Sequence, residues 1–218
     1  MKKFVAVAGN IGVGKSTLVE MLCRKLEWEP FYEPVANNPY IADFYRDMDA
    51  WSFHSQIFFL THRLRIHQQI AGATASVIQD RSIYEDAEVF ARNLYLQGHL
   101  NERDYSTYRD LYLSLTQSIP SPDLVIYLRA STDTLLKRIA LRGRDYEQGI
   151  SPDYLHQLNE LYELWMSTWT LSPVLTVPAD SLDFVLNPAH LDLIASKVQI
   201  KLTGMEDVFF RADEISAA

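Results

Sequence analysis

An α/β fold, built on a parallel sheet with helices over both faces, is the architecture that the 218-residue sequence predicts. Three observations predict it. Apolar runs of strand length alternate with segments of helical period along the whole chain, with no internal repeat, low-complexity tract or linker between them. The first run, Phe4-Val5-Ala6-Val7-Ala8, feeds Gly9-Asn10-Ile11-Gly12-Val13-Gly14-Lys15-Ser16-Thr17, which fits the phosphate-binding pattern G-x-x-x-x-G-K-[ST] without a mismatch. A later run, Leu124-Val125-Ile126-Tyr127-Leu128, is apolar throughout, as a strand covered on both sides should be.

Strand one is read over residues 3–8 and a helix over roughly 15–27, where Leu18, Met21, Leu22 and Leu26 recur at helical spacing. The glycines between them let backbone amides approach a phosphate closely, and the helix N-terminus adds partial positive charge to the same place. Lys15 supplies a full charge. The Ser16 hydroxyl is placed to ligate magnesium. Cys23, the one cysteine, excludes an internal disulfide and reads as a buried structural thiol on that helix. A short strand near Pro30 to Glu33 stops at Pro34 and leaves the Glu33 carboxylate at the strand's carboxyl end, the edge that faces the ligand crevice in open α/β sheets.

Helical material follows over 40–71, broken near Asp47-Met48-Asp49. Phe53, Ile57, Leu60 and Leu64 form one apolar stripe, and Gln56 and Arg63, seven apart, flank it as residues at the border of a cleft would. A flanking salt bridge is the plainer reading of Arg63. Ala75 to Gln79 reads as a strand ending in Asp80-Arg81-Ser82, and the next helix carries Asp86 and Phe90 on one face. An acid at the end of a strand beside a phosphate loop is the expected partner of magnesium; a helix-start acid and a surface base are the bland alternative.

Helices fill about 83–118 until Pro120-Ser121-Pro122, and the Leu124–Leu128 strand leads into a helix that ends in Lys137, Arg138, Arg142 and Arg144. A helix over about 152–170, a strand over 173–178 and a helix over 188–202 complete the pattern, and the tail from Thr203 has no assigned role. With 28 acidic against 20 basic residues the chain carries a net charge of −8, which argues against general affinity for nucleic acid. The 138–144 arginines are the densest basic cluster, the kind of local site an anion would need. No signal peptide and no apolar run of membrane-spanning length are evident, so a soluble cytoplasmic protein without membrane contact is expected. His54, His62 and His67 lack H-E-x-x-H spacing and read as surface or satisfied core histidines.

The guanine-reading N-K-x-D segment and the D-x-x-G switch of GTPases are missing, and a motor would need more chain. What remains is a small phosphotransferase. A monophosphate acceptor is already ionised and a carboxylate beside it would only repel, whereas a nucleoside hydroxyl must lose a proton that Glu33 can take. A thymidylate-type monophosphate kinase and a nucleotide-sensing module without turnover are the competing readings.

Five ordered segments then resemble the deoxyribonucleoside kinase family, and its bacterial purine kinases most: Gly9 to Thr17, Tyr32-Glu33-Pro34-Val35, Tyr45 with Gln56, Asp80-Arg81-Ser82-Ile83-Tyr84, and Leu141 to Ile150. The resemblance implies a three-layer phosphate-loop kinase fold whose five-stranded sheet has the order 2-3-1-4-5. It implies a kinase domain over 1–203 with an arginine lid at about 138–150, and a separate tail over 204–218. By that resemblance Glu33 is the general base for the 5′-hydroxyl, Arg81 keeps it ionised, and Lys15 with Arg138, Arg142 and Arg144 holds the transferring phosphate of ATP. Tyr45 and Glu147 bind the sugar 3′-hydroxyl, Gln56 reads the base edge, and Phe90 stacks on it. Arg63 and Asp86 match the charged pair of the deoxycytidine and purine branches. Ser16 and Asp80 serve magnesium, although the family usually has glutamate at the second position. The reaction implied is transfer of the γ-phosphate of ATP to a deoxyribonucleoside, a purine one first, in nucleotide salvage. A homodimer and feedback inhibition by a deoxynucleoside triphosphate come with the family.

Overall fold

The computed structural model describes residues 1–32, 38–144, 147, 149–206 and 208–218. Five strands form one parallel sheet: β1 (Phe4–Gly9), β2 (Glu29–Phe31), β3 (Val77–Asp80), β4 (Leu124–Arg129) and β5 (Val174–Pro178). Their spatial order is β2-β3-β1-β4-β5, the order implied by the resemblance. Register places Val7 beside Asp80 and Gly9 beside Leu128, so the glycine-rich turn and the Asp80-Arg81 pair leave the same edge of the sheet. The chain turns opposite ways from β1 to reach β3 and β4, and ligands of open α/β sheets bind at such a switch point.

Helix α1 (Lys15–Leu26) packs on β1, β2 and β3 and against α9 (Pro188–Leu202), which itself lies on β4 and β5. The second helical layer comprises α3 (Met48–Gly72), a helix over 83–96, α6 (Glu102–Thr116) and α8 (Pro152–Thr168). It reaches the sheet through rings, with His67 edge-on to Phe4 and Tyr162 stacked on Tyr127. These two strand residues share one face, because Tyr127 is in register with Ala8, four residues beyond Phe4. Short α2 (Ile41–Arg46), then α7 (Thr132–Arg142) and α10 (Ala212–Ala217), complete the set.

Helix starts follow capping chemistry. The break near residues 47–49 is real: the Asp47 side chain accepts from the Ala50 amide at 3.2 Å and starts α3. Ser151-Pro152 starts α8 and Asn187-Pro188 starts α9, each with a side-chain cap and a proline in the first turn. The stretch expected to be helical over 83–118 divides at Gly98, which takes φ +81°, before Asn101 caps α6. Between α4 (Ile83–Glu85) and α5 (Arg92–Leu96) the helix widens into a π-helical stretch, Asp86–Ala91.

One expectation fails in α3. Its buried side runs through Ser52, Gln56, Leu60, Arg63, His67 and Ile70, while Phe53, Ile57 and Leu64 are only half-buried. Polar residues expected to flank the seam form it, because this helix faces a binding cavity and a charged partner rather than a greasy core. His67 is also not a satisfied core histidine: it is buried with neither ring nitrogen hydrogen-bonded among the described residues. Cys23 is buried as expected, and burial pushes its thiol up to about 12. Among the described residues no helix is long and apolar enough to cross a membrane.

Candidate active site

The glycine-rich turn is shaped by what surrounds it. At Gly12, φ is +81° and a Cβ would stand 2.6 Å from Ile139 Cγ1 and 3.1 Å from the Leu135 carbonyl. At Gly9 it would stand 2.7 Å from the Leu128 carbonyl oxygen. Only glycine fits either place. The buried Lys15 ammonium donates to the Gly9 carbonyl at 2.7 Å and the Asn10 carbonyl at 3.0 Å, closing the loop on itself. Gly14 caps α1 with no side-chain bond, which leaves first-turn amides directed to the cavity.

One face of α8 holds the loop from behind. Asn10 Nδ2 donates to the Leu155 carbonyl at 2.9 Å and to Asn159 Oδ1 at 2.8 Å, and the Tyr162 hydroxyl lies 2.8 Å from the Gly9 carbonyl. Leu155, Asn159 and Tyr162 are spaced four and three apart, so they line one side of the helix. Tyr162 also bonds to Glu85, a fully buried acid whose Oε1 accepts from the Gly9 amide at 3.4 Å and pairs with Arg81 Nε at 3.3 Å. Burial pushes the Glu85 carboxyl up, against the pull of Arg81, Lys15 and the Tyr162 bond. The sequence reading missed Glu85, Asn159 and Tyr162. The four-residue spacing of Arg81 and Glu85 was the available signal for the first; nothing local marked the other two.

Beside the loop, Ser16 Oγ donates to Asp80 Oδ2 at 2.5 Å, and Asp80 Oδ1 is buried with no hydrogen-bond partner among the described residues. The two predicted magnesium ligands are therefore adjacent. Arg81 sits in the left-handed region at φ +64°, unusual for a non-glycine residue. Its amide donates to the Val7 carbonyl at 3.0 Å and its guanidinium lies 4.1 Å over the Phe90 ring. Arg81 was expected to hold Glu33 ionised. Glu33 lies outside the described residues, as do its neighbours 34–37; among the described residues Arg81 pairs with Glu85.

A cavity of about 670 Å³ opens over this edge. Of the loop, Ile11, Gly12 and Gly14 to Thr17 line it; Gly9, Asn10 and Val13 stand behind. On the β3 side it is lined by Tyr45, Gln56, Asp86 and Phe90, with Ile41, Phe44 and Phe59 as apolar wall. Gln56 Oε1 is buried and has no partner among the described residues. Arg63, fully buried, donates from Nε to Asp86 Oδ2 at 2.9 Å and reaches the Asp80 carbonyl at 3.3 Å, so the predicted charged pair is formed. The π-helical stretch carries both Asp86 and Phe90 to the cavity wall.

The three expected lid arginines do not behave alike. Arg138 donates to the Val13 carbonyl at 2.7 Å and the Ala179 carbonyl at 2.8 Å, tying the phosphate loop to the chain after β5. It belongs to the frame in this conformation. Arg142 and Arg144, by contrast, both pair with Glu147, the latter at 3.3 Å. Glu147, expected at the sugar, is buried in that cluster and lines the same cavity as Tyr45. Asp145, Tyr146 and Gln148 lie outside the described residues. Asp183, Phe184 and Val185, which the sequence reading did not single out, line the cavity on the β5 side, and Phe184 lies 3.4 Å from where a Gly14 Cβ would be.

The family described as deoxynucleoside kinase matches residues 5–203. A deoxyadenosine/deoxycytidine kinase of Bacillus subtilis (strain 168) is 37% identical over 196 residues, covering 89% of this chain and 90% of its own. A deoxyguanosine kinase of the same organism is 35% identical over 201 residues, covering 90% and 96%. Among solved structures, the deoxyadenosine kinase of M. mycoides with bound dATP superposes with a TM-score of 0.80 at 35% identity, covering 90% of this chain and 99% of its own. A glycine-rich loop of the phosphate-binding pattern, a paired Ser16 and Asp80, a buried Arg63–Asp86 pair and a family match over residues 5–203 agree: the chain belongs to the deoxynucleoside kinase family.

Proposed function

We propose that the protein transfers the γ-phosphate of ATP to the 5′-hydroxyl of a deoxyribonucleoside, purine nucleosides first, and so supplies the 5′-monophosphate for nucleotide salvage in the cytoplasm. The observation that carries this reading is one cavity with two unlike ends. At one end are Lys15 and the α1 N-terminus; at the other are Gln56, Asp86 and Phe90, an amide, a carboxylate and a ring suited to a base. The kinase unit is assigned to residues 1–203.

Glu33 is assigned the proton of the 5′-hydroxyl, because a neutral alcohol attacking phosphorus must lose one and a carboxylate can accept it. Gln56 is assigned the base edge, Phe90 the base face, and Tyr45 with Glu147 the sugar. Arg142 and Arg144 are assigned the transferring phosphate, exchanging Glu147 for its oxygens when substrate arrives; Arg138 is assigned the support of the loop. Asp86, already fixed by Arg63, would accept from an exocyclic amine, whereas thymine offers a carbonyl oxygen that it repels. The names of the two Bacillus kinases, with adenine, cytosine and guanine nucleosides among them, support the same preference.

Magnesium fits the residues present. Among the described residues Asp80 has one oxygen on Ser16 and no hydrogen-bond partner for the other, and no group of three or more His, Cys, Asp or Glu could hold a metal by itself. Ser16 and Asp80 would hold the ion together with triphosphate and water, and it would neutralise charge on the phosphates. Feedback inhibition by a deoxynucleoside triphosphate is supported by dATP bound to the M. mycoides enzyme. A homodimer through α3 is supported by its outer face, where Phe53, Ile57 and Phe58 line a groove of about 330 Å³.

A coupled assay with the four deoxynucleosides and their monophosphates tests the reading. Deoxyadenosine and deoxyguanosine are expected to be phosphorylated with far higher kcat/KM than thymidine, and Glu33→Gln should lower kcat at least a hundredfold. Comparable efficiency on thymidine and deoxyadenosine, turnover of monophosphates only, or an active Glu33→Gln protein would overturn it.

A further inference from the structure

Residues 204–218 fall beyond the span that the family matches, yet the segment 208–218 is built onto the molecule. Val208, Phe210 and Ile215 pack on the core. Lys197 on α9 donates to both carboxylate oxygens of Glu214 at 2.8 Å, and Glu214 Oε2 also accepts from the Arg211 amide at 3.0 Å, closing the first turn of α10. The Lys197 bond, first among several, holds the Glu214 carboxyl below its ordinary range.

So docked, α10 and the residue that ends it turn two backbone oxygens toward the segment between β5 and α9. The Ala218 carbonyl accepts from Asn187 Nδ2 at 3.0 Å, and the Ile215 carbonyl lies 3.3 Å from His190 Nε2. The other ring nitrogen, His190 Nδ1, accepts from the Asp183 amide at 2.9 Å. One imidazole with its proton on Nε2 therefore bridges the tail and Asp183. Asp183 Oδ1 in turn accepts from the amides of Val185 at 3.1 Å and Leu186 at 2.9 Å, which folds the 183–186 turn. That turn buries Phe184 beside Gly14 and lines the cavity.

The side of the cavity matters. Gln56, Asp86 and Phe90 approach from the β3 side of β1, and the 183–186 turn from β5 at the opposite edge of the sheet. A nucleotide with its phosphates in the loop and its terminal phosphate toward the acceptor leaves its sugar and base at this turn. We propose that residues 208–218 set the geometry of the 183–186 turn and thereby the affinity for the phosphate donor, with His190 as the positioning residue that joins them. This rests on the reading of the cavity's β5 side as the donor end.

The test uses the full-length chain and measures KM for ATP and for deoxyadenosine separately. Lys197→Ala, which frees the tail, and His190→Phe, which cuts the bridge, should each raise KM for ATP about fivefold or more. KM for deoxyadenosine and kcat should stay within twofold, and Lys197→Arg should stay near the parent protein. The exposed Val185→Asp substitution probes the donor end directly. If it raises KM for ATP while Lys197→Ala and His190→Phe do not, the tail coupling is refuted and the donor end stands. If Val185→Asp leaves KM for ATP unchanged, or if Lys197→Ala raises both KM values together, the proposal falls.

Discussion

Around Glu85 the hydrogen bonds decide what a substitution costs. The Tyr162 hydroxyl touches both the Gly9 carbonyl and Glu85 Oε1, and it has one proton to give. Glu85 Oε1 also accepts from the Gly9 amide and pairs with Arg81, and burial pushes this carboxyl up against the pull of Arg81, Lys15 and the Tyr162 bond. Glu85→Gln keeps a donor and an acceptor and should retain kcat within about threefold. Glu85→Ala strips partners from Tyr162 and the Gly9 amide, at roughly 1–3 kcal/mol, and should lower the melting temperature visibly in a thermal scan. Equal effects of the two substitutions would show that the bonds Glu85 makes to Tyr162 and the Gly9 amide carry no weight. His67 gives a second prediction. Burial, aided by the nearby Arg63 charge, lowers its pKa from 6.5 to about 4. The unfolded chain then binds a proton that the folded one refuses, so stability falls as pH drops from about 6.5 to about 4. The shift is worth at most about 3 kcal/mol. His67→Phe should flatten that part of the curve of melting temperature against pH; an unchanged slope would assign it to other groups. At this scale Lys15 and Ser16 were legible from the sequence because a motif fixes their spacing, and Asp80 because it ends a strand, whereas the bonds of Glu85 depend on neighbours from α8 and β1.

Among the elements, the phosphate loop shows most directly how packing limits sequence. Gly12→Ala would press a methyl group against Ile139 and the Leu135 carbonyl of α7 at a φ that L residues avoid. Because the loop would shift before the helix does, kcat/KM for ATP should fall at least tenfold with the fold retained by circular dichroism. Wild-type kcat/KM for ATP in that variant would show that the contact relaxes freely. Helix α3 shows where periodicity misleads. The apolar stripe through Phe53 and Ile57 points to a half-exposed groove, and the buried side carries Ser52, Gln56, Arg63 and His67. Hydrophobic period finds the face that avoids water, but a helix at a polar site buries groups that have partners there, such as Arg63 on Asp86. The π-helical widening at Asp86–Ala91 likewise left no trace in a pattern read at 3.6 residues per turn.

Across the whole molecule, the acidic chain concentrates cationic groups on one edge of its sheet, where Lys15, Arg81, Arg138, Arg142 and Arg144 line one cavity. The alternation of strands and helices, the phosphate loop, the strand-end acid and the arginine cluster were all determined by the sequence itself, since each depends on spacing within a few residues of chain. Only the tertiary structure decided that Arg138 braces the loop while Arg142 and Arg144 hold Glu147, that α8 and Glu85 support Gly9, and that the last helix reaches the 183–186 turn through His190. These partners are separated by up to well over a hundred residues of chain, as Arg138 is from Val13. Meetings over such distances follow from how helices pack over a twisted sheet, which no local spacing encodes, whereas Arg142 and Arg144 meet Glu147 within five residues of chain.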